Sequence, residues 1–208
     1  MVTRGTAGDP EHTDAQSADP GLAPLLAGTI AGAGAWIVGY LLTVLAARST
    51  VRADPRTEIL ESATGETVTL ELLAWTYFNA HFVPTEVPQT GLFSMLPREQ
   101  NVVLDGSLAE ALLLAVPPLV LVVAGVAVAV RFRGRLEGAA EYAVAGATIA
   151  VGYLLVTIVG VLLSTVVVDG GLFRPSPLEA IVIAGLLYPL VFGALGGLVA
   201  GGLPHSDS

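Results

Sequence analysis

Residues 111–130 read ALLLAVPPLVLVVAGVAVAV and contain no charged side chain. An α-helix rises about 1.5 Å per residue, so about 20 residues cross the roughly 30 Å hydrocarbon core of a bilayer. Three further uncharged stretches are at least as long, and they are residues 21–47, 142–168 and 180–203. The sequence therefore predicts an all-α membrane protein with four transmembrane helices.

The composition of the chain agrees with this interpretation. Of its 208 residues, 53% are hydrophobic and 13% are charged, and the mean hydropathy is +0.74. A soluble domain of this length cannot bury so much apolar surface, so much of it must face lipid. We therefore expect the lipid bilayer as a partner and the cell membrane as the location.

The charged residues are strongly biased towards acidic side chains. The formal net charge is -9, and every basic residue other than histidine is an arginine. An acidic chain without lysine is typical of haloarchaea, because about 1 M salt shortens the Debye length to about 3 Å; a GC-rich bacterium is the alternative source. The chain has no basic patch to neutralise phosphates, so we expect no nucleic-acid partner.

The uncharged stretches divide the chain into one transmembrane domain, residues 21–203, and two tails. Residues 1–20 are polar and contain two Asp-Pro pairs, so we predict a disordered acidic tail, and residues 204–208 form a short second tail. The first connection, residues 48–110, is far longer than the roughly 2–8 residues that usually join packed helices. We therefore expect additional structure within it.

Residues 67–83 of this connection read TVTLELLAWTYFNAHFV and have the apolar spacing of a helix. The stretch is too short and too polar for a fifth span, and its large rings suit the headgroup level of a bilayer. We predict an interfacial or re-entrant helix ended by Pro84, and a small extramembrane helix on the end of the bundle is an equal alternative. The candidate interaction residues are Trp75, Tyr77, Asn79, His81 and Phe82.

Two parts of the chain resemble each other. Residues 102–115, VVLDGSLAEALLLA, and residues 166–184, VVVDGGLFRPSPLEAIVIA, share an Asp-Gly pair and a Ser-x-x-Glu pattern. In a capping box the serine side chain accepts a hydrogen bond from the amide three residues later, and the glutamate bonds to the serine amide. We therefore predict helix starts at Ser107 with Glu110 and at Ser176 with Glu179.

Further matches lie within the predicted spans. Residues 38–42, VGYLL, recur at 151–155, and Pro118-Leu119-Val120 recurs as Pro189-Leu190-Val191. These matches predict an internal repeat of two tandem helical hairpins, related by a pseudo-twofold axis along the membrane normal. Pro117, Pro118 and Pro189 fall within predicted spans, where proline removes a backbone hydrogen bond and is expected to kink the helix.

No sequence motif with a known mechanism is present, and no Asp, Glu, Lys, Arg or His lies inside the predicted spans. Proton relays and ion-coupled transporters typically place such residues there. We predict no catalytic residue, no cofactor, no metal site and no enzyme activity. His81 lies near Glu71, Asn79 and Glu86, but one histidine with scattered carboxylates is not a metal ligand set, and a hydrogen-bonded histidine is the favoured interpretation.

The motifs Gly39-Tyr-Leu-Leu-Thr43 and Trp75-x-x-Phe-Asn-Ala-His-Phe82 carry a resemblance to a known family. The chain resembles a family of uncharacterised four-helix membrane proteins of halophilic archaea. The resemblance covers most of the chain and implies the compartment and the topology. It implies no activity.

Two functions are compatible with these observations. The first is a structural, sensory or accessory membrane component whose long connection contacts a membrane protein partner. The alternative is a small permease or channel for an uncharged solute that acts as a homo-oligomer.

The distribution of arginines predicts the orientation in the membrane. Arg131, Arg133 and Arg135 crowd the short connection after the second span, and short arginine-rich connections stay cytoplasmic. Arg48, Arg52 and Arg56 oppose this orientation, but they open a long segment, and long segments translocate largely regardless of charge. Both termini are therefore expected in the cytoplasm and the long connection outside.

A cysteine placed at Ser62 tests this orientation, because the chain contains no other cysteine. We expect a membrane-impermeant maleimide to label the Ser62→Cys variant on intact cells, with a Gly134→Cys variant in the short connection as the matched control. Labelling of Ser62→Cys only after lysis would invert the predicted topology.

Overall fold

The computed structural model of the protein describes residues 22–106 and 111–204. Four helices in this part are long and apolar enough to cross a membrane, which confirms the predicted number. They are Leu22–Ala53 (α1), Leu112–Arg131, Ala139–Leu163 and Pro177–Gly202, and we call them the first to fourth long helices. The predicted acidic tail and the capping pair Ser107 and Glu110 lie outside the described residues.

The long helices approach each other closely because glycines face neighbouring backbones. A Cβ atom at Gly125 of the second long helix would meet the carbonyl oxygen of Gly193 in the fourth, and one at Gly32 would meet the carbonyl of Ile149 in the third. Gly197 faces the carbonyl of Tyr142 in the same way. Small residues at such positions allow membrane helices to pack backbone against backbone.

The predicted pseudo-twofold axis would place the matched residues Gly39 and Gly152 at one depth in the bundle. Gly152 instead lies against Thr29, roughly two to three helical turns from Gly39 along α1. The packing of the first and third long helices therefore gives no support to such an axis, and the internal repeat stays a prediction.

A cap covers one end of the bundle and is built from two connections. It contains the helices α2 (Pro55–Thr64) and α3 (Thr69–Asn79) and a small antiparallel sheet. The strands are β1 (Thr85–Glu86), β2 (Glu99–Gln100), β3 (Val166–Val168) and β4 (Gly171–Pro175), in the order β2-β1-β4-β3. Because β1 pairs with β4, the sheet ties the long first connection to the connection between the third and fourth long helices.

The sheet corrects the all-α prediction and one predicted span. The third long helix ends at Leu163, and the valines assigned to its end form β3. Asp169 and Gly170 have φ angles of 49° and 77°, which a tight hairpin turn requires. The valine run before Asp-Gly is therefore a hairpin signal, since β-branched residues favour strands.

The predicted capping box does not form at Ser176. The fourth long helix does begin at Pro177, directly after Ser176, but the Ser176 side chain makes no capping hydrogen bond. The Ser176 amide donates to the carbonyl of Pro84 at 2.9 Å, so it is not available to Glu179. The Pro84 carbonyl, at the edge of the sheet, thus takes the place predicted for the Glu179 carboxylate as the acceptor for the Ser176 amide.

Pro117 and Pro118 lie near the start of their helix, whereas Pro189 lies in the middle of the fourth long helix, as predicted. The second long helix opens with a 3-10 turn, Leu112–Ala115, so Pro117 and Pro118 fall in the first turn of its α-helical part, where a missing amide costs little. In the fourth long helix, a π-helical segment, Ala180–Leu187, directly precedes the α-helical turn that contains Pro189. Local changes of helix type of this kind accommodate proline within a long helix.

The helix predicted at 67–83 is shorter than expected. α3 ends at Asn79, and the chain reverses through Phe82, which has a φ of 63°, before it reaches Pro84. The aromatic side chains of α3 were predicted to lie at the headgroup level, but Trp75, Tyr77 and Phe78 are buried within the protein. α1 covers Tyr77 and Phe78 through Trp36, and the sheet covers Trp75 through Phe173.

Candidate functional site

α3 and the turn after it bring two polar rings into the centre of the bundle. Tyr77 and His81 are four residues apart and share one face, and both are almost fully buried. The Tyr77 hydroxyl lies over Gly39 of α1, where a Cβ atom would clash with it. The edge of the Tyr77 ring packs on Trp36, with 5.4 Å between the ring centroids. Gly39 thus makes room for Tyr77.

A continuous hydrogen-bonded chain links these rings to the third long helix. His81 Nδ1 lies 2.8 Å from the carbonyl oxygen of Tyr77, and His81 Nε2 lies 2.6 Å from the hydroxyl of Tyr153. The hydroxyls of Tyr153 and Tyr77 are 2.7 Å apart. We call these three side chains the His-Tyr-Tyr chain.

The direction of the chain follows from its ends. A carbonyl only accepts, so Nδ1 of His81 donates to it, and the remaining nitrogen of a neutral imidazole accepts. Tyr153 therefore donates to His81, and Tyr77 donates to Tyr153. Every hydrogen bond of the chain is satisfied by neutral groups, which is how buried polar groups are stabilised.

Burial determines the protonation of the groups in the cap. Loss of solvent disfavours the charged imidazolium and lowers the pKa of His81 to about 4, although the hydrogen bond to the Tyr77 carbonyl opposes the shift. Burial also raises the pKa of Tyr77 above its usual range, because the phenolate would be unsolvated. The site is therefore uncharged at neutral pH.

Both nitrogens of His81 are engaged within the protein, so neither is free for a metal ion. Across residues 22–106 and 111–204, no group of three or more His, Cys, Asp or Glu side chains is placed to hold a metal. The His-Tyr-Tyr chain is therefore neutral and has a fixed direction, and its role in the structure is to position α3 against the third long helix.

A cavity of about 230 Å³ lies within the cap, on the other side of α3 from the His-Tyr-Tyr chain. It is bounded by the last turns of α1, by α2 and α3, and by the sheet. Its walls are mostly apolar, and they include Leu72, Trp75, Val103, Leu113 and Phe173. An apolar concavity with a few polar groups is the usual form of a ligand site.

Trp75 and Asn79 line the cavity but are held by the protein. The Trp75 indole N–H donates to the carbonyl of Ser164 at 2.6 Å, and its ring stacks on Phe173. The Asn79 amide donates to the carbonyl of Val83 at 2.8 Å, and its side-chain oxygen accepts from the Val102 amide at 2.9 Å. Both side chains therefore shape the wall, and their polar atoms are already used.

The structure divides the five candidate residues among three places. Tyr77 and His81 join the His-Tyr-Tyr chain, Trp75 and Asn79 line the cavity, and Phe82 is half exposed on the outside of the turn. Sequence reasoning missed Tyr153 as the partner of His81. The Tyr153 hydroxyl can be predicted from the sequence to make an interhelical hydrogen bond, but no local pattern pairs it with His81.

Four membrane-length helices with a mixed helix and strand cap define the class: a small helical-bundle protein compatible with a membrane location. The chain belongs to a family of unknown function, DUF7978, whose family model matches residues 8–203. No curated protein and no solved structure matches the chain. The resemblance to an uncharacterised family is confirmed in this form, and the haloarchaeal source remains a prediction.

The buried neutral His81 predicts a loss of stability in acid. The folded pKa lies near 4, below the unfolded value of 6.5, so the unfolded state binds the proton first as the pH falls. Stability is fully present above about pH 6.5 and is lost as the pH falls towards 4. Between about pH 7.5 and pH 5 we expect a loss of roughly 2 kcal/mol.

The measurement is reversible unfolding in detergent of a His12→Asn/His205→Asn variant, in which His81 is the only histidine. Adding His81→Gln should lower stability at pH 7.5 and remove most of the pH dependence between 7.5 and 5. An unchanged pH dependence in the His81→Gln variant would contradict the assigned protonation.

Proposed function

We propose that the protein is a multi-pass membrane component of the structural, sensory or accessory kind, in which the cap is the binding element. The observation that carries this proposal is the apolar cavity of about 230 Å³ between the cap and the end of α1. A bundle with a separate ligand cavity at its end suits recognition better than passage of a solute.

The interior of the bundle supports this proposal. Glycine contacts bring the second and fourth long helices together at Gly125 and Gly193, and the third and fourth at Gly146 and Gly197. Backbones in such contact leave little room for a solute between them. The long helices also contain few groups that could solvate an ion, since no Asp, Glu, Lys, Arg or His lies inside the predicted spans.

The location and assembly follow the sequence-based expectations. We propose that the four long helices cross the cell membrane, that both termini are cytoplasmic, and that the cap faces outwards with α3 as a buried plug at the membrane surface. Net charge and the absence of lysine support a halophilic source, and the Gly125–Gly193 contact between matched spans is compatible with two tandem hairpins. A membrane protein or a second copy is the expected partner, and we propose no enzyme activity.

One observation favours the alternative of a permease for an uncharged solute. The fourth long helix contains the π-helical segment Ala180–Leu187, and the Oγ1 atom of Thr157 in the neighbouring third long helix is buried without a hydrogen-bond partner. Within a membrane-spanning bundle, non-α-helical backbone and unbonded polar atoms are found where the protein lines a path for a polar solute. A flux measurement separates the two functions.

Proteoliposomes of the purified protein are exposed to an osmotic shock with glycerol, urea or a neutral sugar. We expect their volume to recover no faster than the volume of protein-free vesicles. The closely packed helices are the reason for this expectation. Stopped-flow light scattering measures the rate, with the isosteric Thr157→Val variant as the matched control. Saturable flux of one solute that Thr157→Val abolishes would establish the permease and overturn our proposal.

A further inference from the structure

The cavity lies beside the end of α1 that joins the cap. α1 is 32 residues long, so it spans about 48 Å, whereas the hydrocarbon core needs about 30 Å. The cavity is bounded by the last turns of α1 from Ala46 to Val51, and by Asp54, which follows the helix. With the uncharged residues 21–47 of α1 assigned to the hydrocarbon core, the charged residues that follow, from Arg48 onwards, fall at the level of the lipid headgroups.

Several polar side chains on the cavity wall are already bonded within the protein. Thr57 donates to the carbonyl of Val51 at 2.5 Å, and Thr76 donates to the carbonyl of Leu72 at 2.9 Å. The Asn79 side chain is likewise bonded to the cap backbone. The deep part of the cavity therefore offers mainly dispersion contacts and burial of apolar surface to an occupant.

The rim of the cavity is mostly apolar and carries two charged residues, Asp54 and Arg56. Ile59 and Leu96 line it and are exposed by 49% and 44%, and neighbouring Met95 is exposed by 86%. Arg56 also lines the rim and makes no salt bridge within residues 22–106 and 111–204, where the single ion pair joins Arg174 to Glu86. Asp54 lines the cavity as well, and its carboxylate accepts a hydrogen bond from the Arg56 backbone amide at 2.8 Å, so the Arg56 guanidinium stays available to a ligand.

We propose that the cavity takes one hydrocarbon chain of an anionic lipid from the surrounding bilayer, and that Arg56 binds the phosphate of its headgroup. This inference rests on the proposed function, because it names the ligand of the proposed recognition site. The volume exceeds the roughly 150 Å³ of an engineered apolar cavity that binds benzene, so a section of acyl chain fits. Arginine pairs with phosphate through charge-assisted hydrogen bonds.

Tryptophan fluorescence reports on this site directly. The chain has two tryptophans, and the buried indole nitrogen of Trp36 has no hydrogen-bond partner among the residues that the structure describes. Trp36→Phe therefore removes no hydrogen bond and leaves Trp75, in the cavity wall, as the single fluorophore. Quenching of Trp75 by lipids brominated on one acyl chain measures occupancy of the cavity.

The full chain carrying Trp36→Phe is placed in vesicles of unbrominated phosphatidylcholine with increasing fractions of brominated phosphatidylglycerol or brominated phosphatidylcholine. We expect the anionic lipid to quench Trp75 at about tenfold lower mole fraction than the zwitterionic lipid. Arg56→Gln should remove this preference, because it removes the charge that meets the phosphate. Arg98→Gln, an exposed arginine of the same cap away from the cavity, is the matched control and should retain it.

Filling the cavity tests the position of the hydrocarbon chain. Ala46→Phe places a ring in the wall and should abolish saturable quenching, whereas Ala63→Phe, on the exposed side of α2, should not. If Ala46→Phe does not yield monodisperse protein, Thr50→Phe on the same wall replaces it.

Equal quenching by the two lipids in the parent protein, or undiminished quenching in the filled variant, would overturn the lipid assignment. Solute flux measured in the same vesicles is independent of both results. Protein-dependent flux would contradict the proposed function. Equal quenching by the two lipids without flux would contradict only the assignment of an anionic lipid as the ligand.

Discussion

The hydrogen bond between Tyr153 and His81 is the constraint on which the cap depends. It joins the third long helix to the turn after α3, and the adjoining bond from Tyr77 extends the contact to the face of α1. A buried imidazole or phenol without a partner is costly, so each of the three rings fixes the others. α3 can therefore occupy only one depth and one rotation against the bundle.

The cavity is a consequence of this fixed position. Once Tyr77 is seated over Gly39, the opposite side of α3 presents Leu72, Trp75 and Asn79 towards the end of α1 and the sheet. The bond from Trp75 to Ser164 ties that side to the connection after the third long helix. The same helix thus closes the bundle with one face and forms a cavity wall with the other.

The four long helices could be predicted from the length of the uncharged stretches, because stretches of this length and composition match the hydrocarbon core of a bilayer. The sequence also identified the polar segment that enters the site, through the clustering of Trp75, Tyr77 and His81. It did not reveal Tyr153 as their partner, because a tyrosine within an apolar span has the same local pattern whether it meets lipid or a histidine. To pair Tyr153 with His81 requires knowing that the third long helix lies against the turn after α3, and the sequence does not show which distant segments meet.

The errors in the cap have a similar cause. The Asp-Gly pair at Asp169 was interpreted as a turn before a helix cap, although the valines before it also fit a hairpin strand. The strand then supplied the Pro84 carbonyl to the Ser176 amide, which left Glu179 without its predicted role. A local capping pattern was thus overridden by a strand pairing that spans about 90 residues of sequence.

The most direct test of the central claim is a double-mutant cycle between Tyr153 and His81. Free energies of unfolding are measured at neutral pH in mixed micelles for the parent protein, Tyr153→Phe, His81→Phe and the double variant. A coupling energy of about 1–3 kcal/mol is predicted, because either single substitution removes the shared hydrogen bond. Additivity within about 0.5 kcal/mol would show that the two side chains do not interact and would contradict the account of how the cap is held.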